Sequence, residues 1–152
     1  MRKVIERVLL LSIFLIFTSV VAQAATIKVA MLNTGTDGTS QMVFEPAFIE
    51  AKVGDTIEFV VTDVLHQPVS VSVPEGQATW HVEPSEGVTV KITKDGVFFF
   101  KCETHAILGM SGIIQVGSSK ANLDAATEAV EEYVEGLAMN ADRIEGLLAK
   151  VK

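Results

Sequence analysis

The sequence predicts a mainly β fold, a sandwich or barrel of short strands, finished by two C-terminal α-helices. Three observations point there. From Thr26 to Gly117 the chain reads as short β-branched or aromatic runs broken by turn residues. Val53-Gly54-Asp55 and Lys94-Asp95-Gly96 supply tight turns between several of those runs. After Gly117 the apolar period changes to about 3.6 residues, which is the helical repeat.

In chain order the expected strands are Thr26–Leu32, Ala47–Lys52, Thr56–Thr62, Val69–Val73, Val88–Thr93, Gly96–Cys102 and Gly112–Val116. Thr56 to Val61 alternates only partly, as a strand does when one face lies on the core and the other is partly wet. Phe98-Phe99-Phe100 is apolar on both faces and belongs at the centre of a sheet. Beyond it, Leu123, Ala126, Val130, Tyr133, Val134 and Leu137 form one helical stripe, with Asn122 as its expected N-cap. Asn140 is the expected N-cap of a second helix, whose apolar face is Ile144, Leu147, Leu148 and Val151, and Gly136 marks the turn between them. The expected role of both helices is to cover a sheet face or edge.

Residues 1–24 read as a secretory signal peptide: a basic start with Arg2, Lys3 and Arg7, an apolar run from Val8 to Val21, and the small-residue ending Ala22-Gln23-Ala24. The run is shorter than the roughly 20 residues that a spanning helix needs. Residues 25–117 then form the expected sandwich and 118–152 the helical extension, all within the size of one domain. Without residues 1–24 the chain keeps nine basic against 18 acidic side chains, a formal charge of −9 with His neutral. Nucleic acid is excluded as a partner, because binding it depends on cationic side chains. Cys102 is the single cysteine, so it closes no disulfide within the chain. In an exported protein it is buried and inert, bridges two chains, or binds a metal as thiolate.

The segment Cys102-Glu103-Thr104-His105-Ala106-Ile107-Leu108-Gly109-Met110 places a thiolate, an imidazole and a thioether in one short loop after a buried strand. Soft sulfur with imidazole selects copper or zinc over calcium and magnesium. A further imidazole has to come from elsewhere, and His66 is the best candidate, in the loop Asp63 to Pro68 at the end of another strand. Two imidazoles, one thiolate and a weak axial thioether make the blue-copper arrangement. Met110 alone says little, since methionine most often fills core gaps, and His81 beside Trp80 lacks a motif and is read as a non-ligand.

The loop Cys-x-x-His-x-x-x-x-Met resembles that of small cupredoxins, the pseudoazurins in particular. The resemblance covers nearly the whole chain after residue 24. Ala30 to Asn33, Met42 to Phe48, Val53 to Thr56, Thr62-Asp63, Gly112 to Gly117 and Ala121 to Ala125 are all similar to pseudoazurin segments in the same order. It implies a cupredoxin-like Greek-key β-sandwich of eight strands, with one copper ion held by His66, Cys102, His105 and Met110. It also implies a periplasmic one-electron carrier that serves reductases such as copper nitrite reductase, and that is no enzyme. Met42 matches the family's methionine beside the exposed ligand imidazole. His105 is expected to be the least buried ligand, ringed by Pro68, Ile107, Leu108 and Met42.

Three departures from the family stand out. Gln67 replaces the usual Asn after the first histidine, which loosens the expected tie between the copper loops. Thr104 replaces the usual Pro and adds an N–H that could point at the thiolate. The acidic surface, with Glu103 inside the ligand loop, replaces a lysine ring and points to a basic or weakly charged partner, a c-type cytochrome or a different reductase. A monomer is expected. The alternative function is copper binding or delivery without a carrier role.

Overall fold

The computed structural model describes residues 23–152, so the expected signal peptide lies outside the described residues except for Gln23 and Ala24. Eight strands are present: β1 (Thr26–Thr34), β2 (Gln41–Glu45), β3 (Phe48–Ala51), β4 (Thr56–Val61), β5 (Pro68–Ser72), β6 (Val88–Lys91), β7 (Gly96–Cys102) and β8 (Ser111–Val116). Two helices follow, α1 (Leu123–Glu135) and α2 (Ala141–Leu148). The strands form two four-stranded sheets, ordered β2-β1-β4-β6 and β3-β8-β7-β5. β1 runs parallel to β4, and β3 parallel to β8, while the other neighbours are antiparallel. The mainly β sandwich with two C-terminal helices is the expected fold.

Pattern reading did not anticipate β2. Its apolar run Met42-Val43-Phe44 is short and Met42 has a positive φ of 51°, so the strand shows only partial alternation. Pairing with β1, in register Met31 to Phe44, makes it a strand.

The alternation along β7 explains why Phe98-Phe99-Phe100 is apolar on both faces. Phe98, Phe100 and Cys102 point into the core between the sheets, where Phe44, Phe59, Phe100 and Trp80 form an aromatic cluster with ring centroids 5.0 to 6.5 Å apart. Val97 and Phe99 point outward, beneath the helices, and meet Ala126, Val130, Ile144 and Leu147. A strand between two apolar layers has no wet face to encode.

Both helix starts differ from expectation. Asn122 makes no side-chain cap; its amide grips Val97 of β7 instead, accepting the N–H at 2.9 Å and donating to the carbonyl at 2.6 Å. Asn140 also leaves its helix uncapped and donates across to Leu108 O at 2.8 Å. In each case a long-range tie displaces the local capping bond that sequence spacing suggests.

Candidate metal centre

Strand pairing brings three stretches of chain to one pole of the sandwich. Pro68 lies opposite Cys102 in the β5–β7 pair, and Lys101 opposite Ser111 in the β7–β8 pair. Hence His66 just before β5, Cys102 at the end of β7 and Met110 just before β8 are neighbours by register. The Cys102 N–H donates to Met110 O at 2.8 Å and closes the loop between them. Within that loop, Ala106–Leu108 make one 3-10 turn directly after His105.

The loop carrying His66 is pinned from two sides. Asn33 N–H donates to the Asp63 carboxylate at 2.7 Å, Leu65 N–H to Ser85 Oγ at 2.7 Å, and Ser85 N–H to His66 O at 2.8 Å. His66, Cys102 and Met110 are fully buried, and His105 is the one half-exposed member of the set.

Three donor atoms converge. Cys102 Sγ lies 3.9 Å from His66 Nδ1 and 3.6 Å from His105 Nδ1, and the two Nδ1 atoms are 3.1 Å apart. A metal at the centre of a trigonal plane, with bonds of about 2.0 Å to nitrogen and about 2.3 Å to sulfur, requires donor separations of about 3.5 and about 3.7 Å. The observed triangle fits one ion. On the far side of the His66 ring, Nε2 is buried with no partner among the described residues, so Nδ1 is the atom the fold presents for bonding. Burial holds the His66 imidazole below its ordinary pKa, aided by the charge of His105 and opposed by Asp63, which favours the neutral form whose lone pair binds a metal. Burial pushes the Cys102 thiol up, against the N–H groups of Gln67, His105 and Thr104, and metal binding must therefore displace a proton there.

Gln67 restores the tie between the copper loops that the exchange from Asn put in question. Its N–H points at Cys102 Sγ at 3.3 Å, its carbonyl accepts from Glu103 N–H at 2.9 Å, and its side chain donates to Val82 O at 2.7 Å. Thr104 Oγ1 reaches Gln67 Oε1 at 3.4 Å. The longer side chain and the hydroxyl thus span the gap together. The hydrogen bond to the sulfur comes from the backbone N–H of Gln67.

Of the residues expected around His105, Ile107 is exposed and Leu108 half-buried, but Pro68 is buried. Its pairing with Cys102 turns it into the sheet and off the surface. Val64 and Leu65, just ahead of His66, are the exposed apolar residues of that loop, at 62 % and 60 %. Met42 packs against the core cluster that contains Cys102 and Met110. Glu103 is partly paired with Lys101 at 3.1 Å, which softens the charge expected inside the ligand loop. His81 is exposed, next to the Gln67 amide at 3.4 Å, and stands outside the triangle.

A β-sandwich that gathers two imidazoles and a lone thiolate at one pole, beside a buried methionine, defines a small single-copper protein. The model of the copper-binding proteins of the plastocyanin/azurin family matches residues 29–117. The chain is 44 % identical over 108 residues to pseudoazurin of Paracoccus pantotrophus, which covers 70 % of this chain and 73 % of that protein. It superposes on the pseudoazurin structure from Hyphomicrobium denitrificans with a TM-score of 0.69 at 35 % identity, covering 84 % of this chain and 98 % of that one. The structure of the pseudoazurin from Methylobacterium extorquens AM1 gives a TM-score of 0.69 at 30 % identity, over 84 % and 99 % of the two chains. The chain belongs to the pseudoazurins, copper electron-transfer proteins within the plastocyanin/azurin family. It is a carrier and not an enzyme, and copper is its cofactor.

Proposed function

We propose that the chain, freed of residues 1–24, is a periplasmic blue-copper carrier whose ligands are His66, Cys102, His105 and Met110. The donor triangle at one pole of the sandwich carries this reading. Copper bound there supplies a one-electron couple between Cu(I) and Cu(II). The protein's part is to keep the donors fixed through that change. His66 and Cys102 sit at strand ends in a close-packed core, and Met110 is tied to Cys102 through the backbone, so little moves when the charge changes.

His105 is the exit for the electron, because it alone among the four reaches solvent. After it in the chain, Ile107 and Leu108 offer an apolar docking rim, and Val64 and Leu65 are exposed apolar residues just ahead of His66. The formal charge of −9 favours a basic or weakly charged partner, a c-type cytochrome or a reductase with a cationic face, and steering raises the encounter rate. The secretory pattern of residues 1–24 supports the periplasm. The test is stopped-flow mixing of the copper-loaded protein with a reduced basic cytochrome: fast bleaching that slows with added salt is the expected result. Faster exchange with an acidic partner, slowed by salt, would overturn the partner assignment.

A further inference from the structure

The C-terminal helices do more than cover the outer face of β7 and β8. Three consecutive carbonyls of the 3-10 turn, the stretch between His105 and Met110, each accept a hydrogen bond from the tail. Tyr133 OH donates to Ala106 O at 2.8 Å, Ala138 N–H to Ile107 O at 2.9 Å, and the Asn140 amide to Leu108 O at 2.8 Å. At the next residue the fit is close enough to exclude a side chain. Gly109 has φ +78°, and a Cβ there would lie 2.9 Å from Asn140 Cβ and 3.0 Å from Met139 O. From the same helix start, Arg143 donates to Gln41 O and Met42 O at 3.1 and 3.0 Å, fixing the strand that carries Met42.

These bonds are directional and fall on successive residues, which simple coverage of an apolar face does not require. Tyr133 is suited to permanent donation, since burial pushes its hydroxyl up to about 12 and it stays protonated. Its ring rests on Phe99 with centroids 5.3 Å apart, so its position is set by the core of the outer layer. Asn140 reaches Leu108 from a left-handed conformation with φ 62°, a backbone geometry that asparagine adopts more readily than most residues. The turn itself has few bonds of its own: Leu108 N–H to His105 O at 3.1 Å and Gly109 N–H to Ala106 O at 2.9 Å. Without the tail it would be an exposed loop held at its two ends.

We propose that the segment from Tyr133 to Arg143 is a positioning element for the copper loop, with Tyr133 and Asn140 setting where His105 stands relative to Met110. The proposal rests on the reading of those two residues as ligands. With copper bound, Met110 would supply the weak thioether ligand, so a small displacement of the loop would alter that contact, which is one of the factors that tune the potential. The tail thereby acts on the copper through the backbone of residues 106–108, touching no ligand itself.

The test compares the double variant Tyr133→Phe, Asn140→Gly with Leu148→Ala. The former keeps the ring on Phe99 and the left-handed backbone but removes two donors; the latter loosens the helix packing and leaves the donors in place. In the metal-free protein, the Leu108 and Gly109 amides should exchange with solvent at least about fivefold faster in the double variant, the factor that one ordinary net hydrogen bond represents. In the copper-loaded protein the double variant should shift both the copper hyperfine splitting and the reduction potential. Leu148→Ala should lower the unfolding midpoint without moving either. Unchanged exchange, hyperfine splitting and potential in the double variant would overturn the proposal, as would equal shifts in Leu148→Ala. A wild type that takes up copper with no thiolate band would instead overturn the ligand reading on which the proposal stands.

Discussion

The two poles of the sandwich are built on different plans. At the end away from the metal centre, the Asp55 carboxylate collects two backbone donors, Ala25 N–H and Lys52 N–H, both at 2.8 Å, and Gly54 N–H closes on Ile92 O at 2.9 Å. Those bonds belong to a tight turn and the strands beside it. At the metal pole the bonds are spread over several elements and involve side chains: Gln67 to Cys102, Thr104 to Gln67, Tyr133 and Asn140 to the loop after β7. One pole gathers neighbouring strands around a single turn and one carboxylate, and the other is an assembly in which each donor is placed by a different element. An ion that must stay bound in two charge states needs the second kind, since no single turn can fix four side chains.

The core that both poles share gives the largest effect. Phe100→Ala removes a fully buried ring in contact with Phe44, Phe59 and Trp80, and should cost about 3–5 kcal/mol in urea unfolding. Because Phe100 stands two residues before Cys102 on the same face of β7, the copper spectrum should broaden as well. A loss under 1 kcal/mol would mean that the core repacks around the gap.

Next comes the pole closed around Asp55 alone. Asp55→Asn should lower stability at neutral pH by about 1.5–3 kcal/mol, the value of a hydrogen bond to a charged group, and leave the copper spectrum as it was. The hydrogen bonds from Ala25 and Lys52 hold the Asp55 carboxyl below its ordinary pKa of 3.8. A depressed folded pKa contributes stability that is complete above 3.8 and is lost as pH falls through the folded value. The gap between wild type and variant should therefore close in acid below that point. A gap independent of pH would show that ionisation of Asp55 contributes nothing.

The smallest effect is electronic. Thr104→Pro removes one of the three N–H groups near the thiolate, and the reduction potential should fall by at most roughly 40 mV, which is about 1 kcal/mol for one electron. Thr104→Val keeps the N–H and loses only the hydroxyl bridge to Gln67, so its potential should stay close to wild type. No fall on adding proline would contradict the part given to the N–H, and an equal fall in both variants would assign the effect to the bridge.

The contrast between the poles also explains what the sequence revealed. Seven of the strands and both helices could be read because each carries its own period, and Val53-Gly54-Asp55 announces its turn locally. The loop from Cys102 to Met110 was legible because three donor types fall within nine residues, and His66 because it ends a strand run. The tail's part was hidden: Asn122 and Asn140 look like N-caps by spacing, yet both spend their amides on distant strands and loops. Pro68 looked like rim, but its register opposite Cys102 buries it. For Asn122, Asn140 and Pro68, a partner more than 20 positions away outweighed a local preference, and spacing along one chain does not encode such a partner.

The central claim is that His66, Cys102, His105 and Met110 share one copper ion, and adding Cu(II) to the purified protein while recording its visible spectrum tests it most directly. The account predicts intense thiolate-to-copper absorption saturating at one equivalent and absent in Cys102→Ser. Weak absorption, or a band that survives Cys102→Ser, would contradict it.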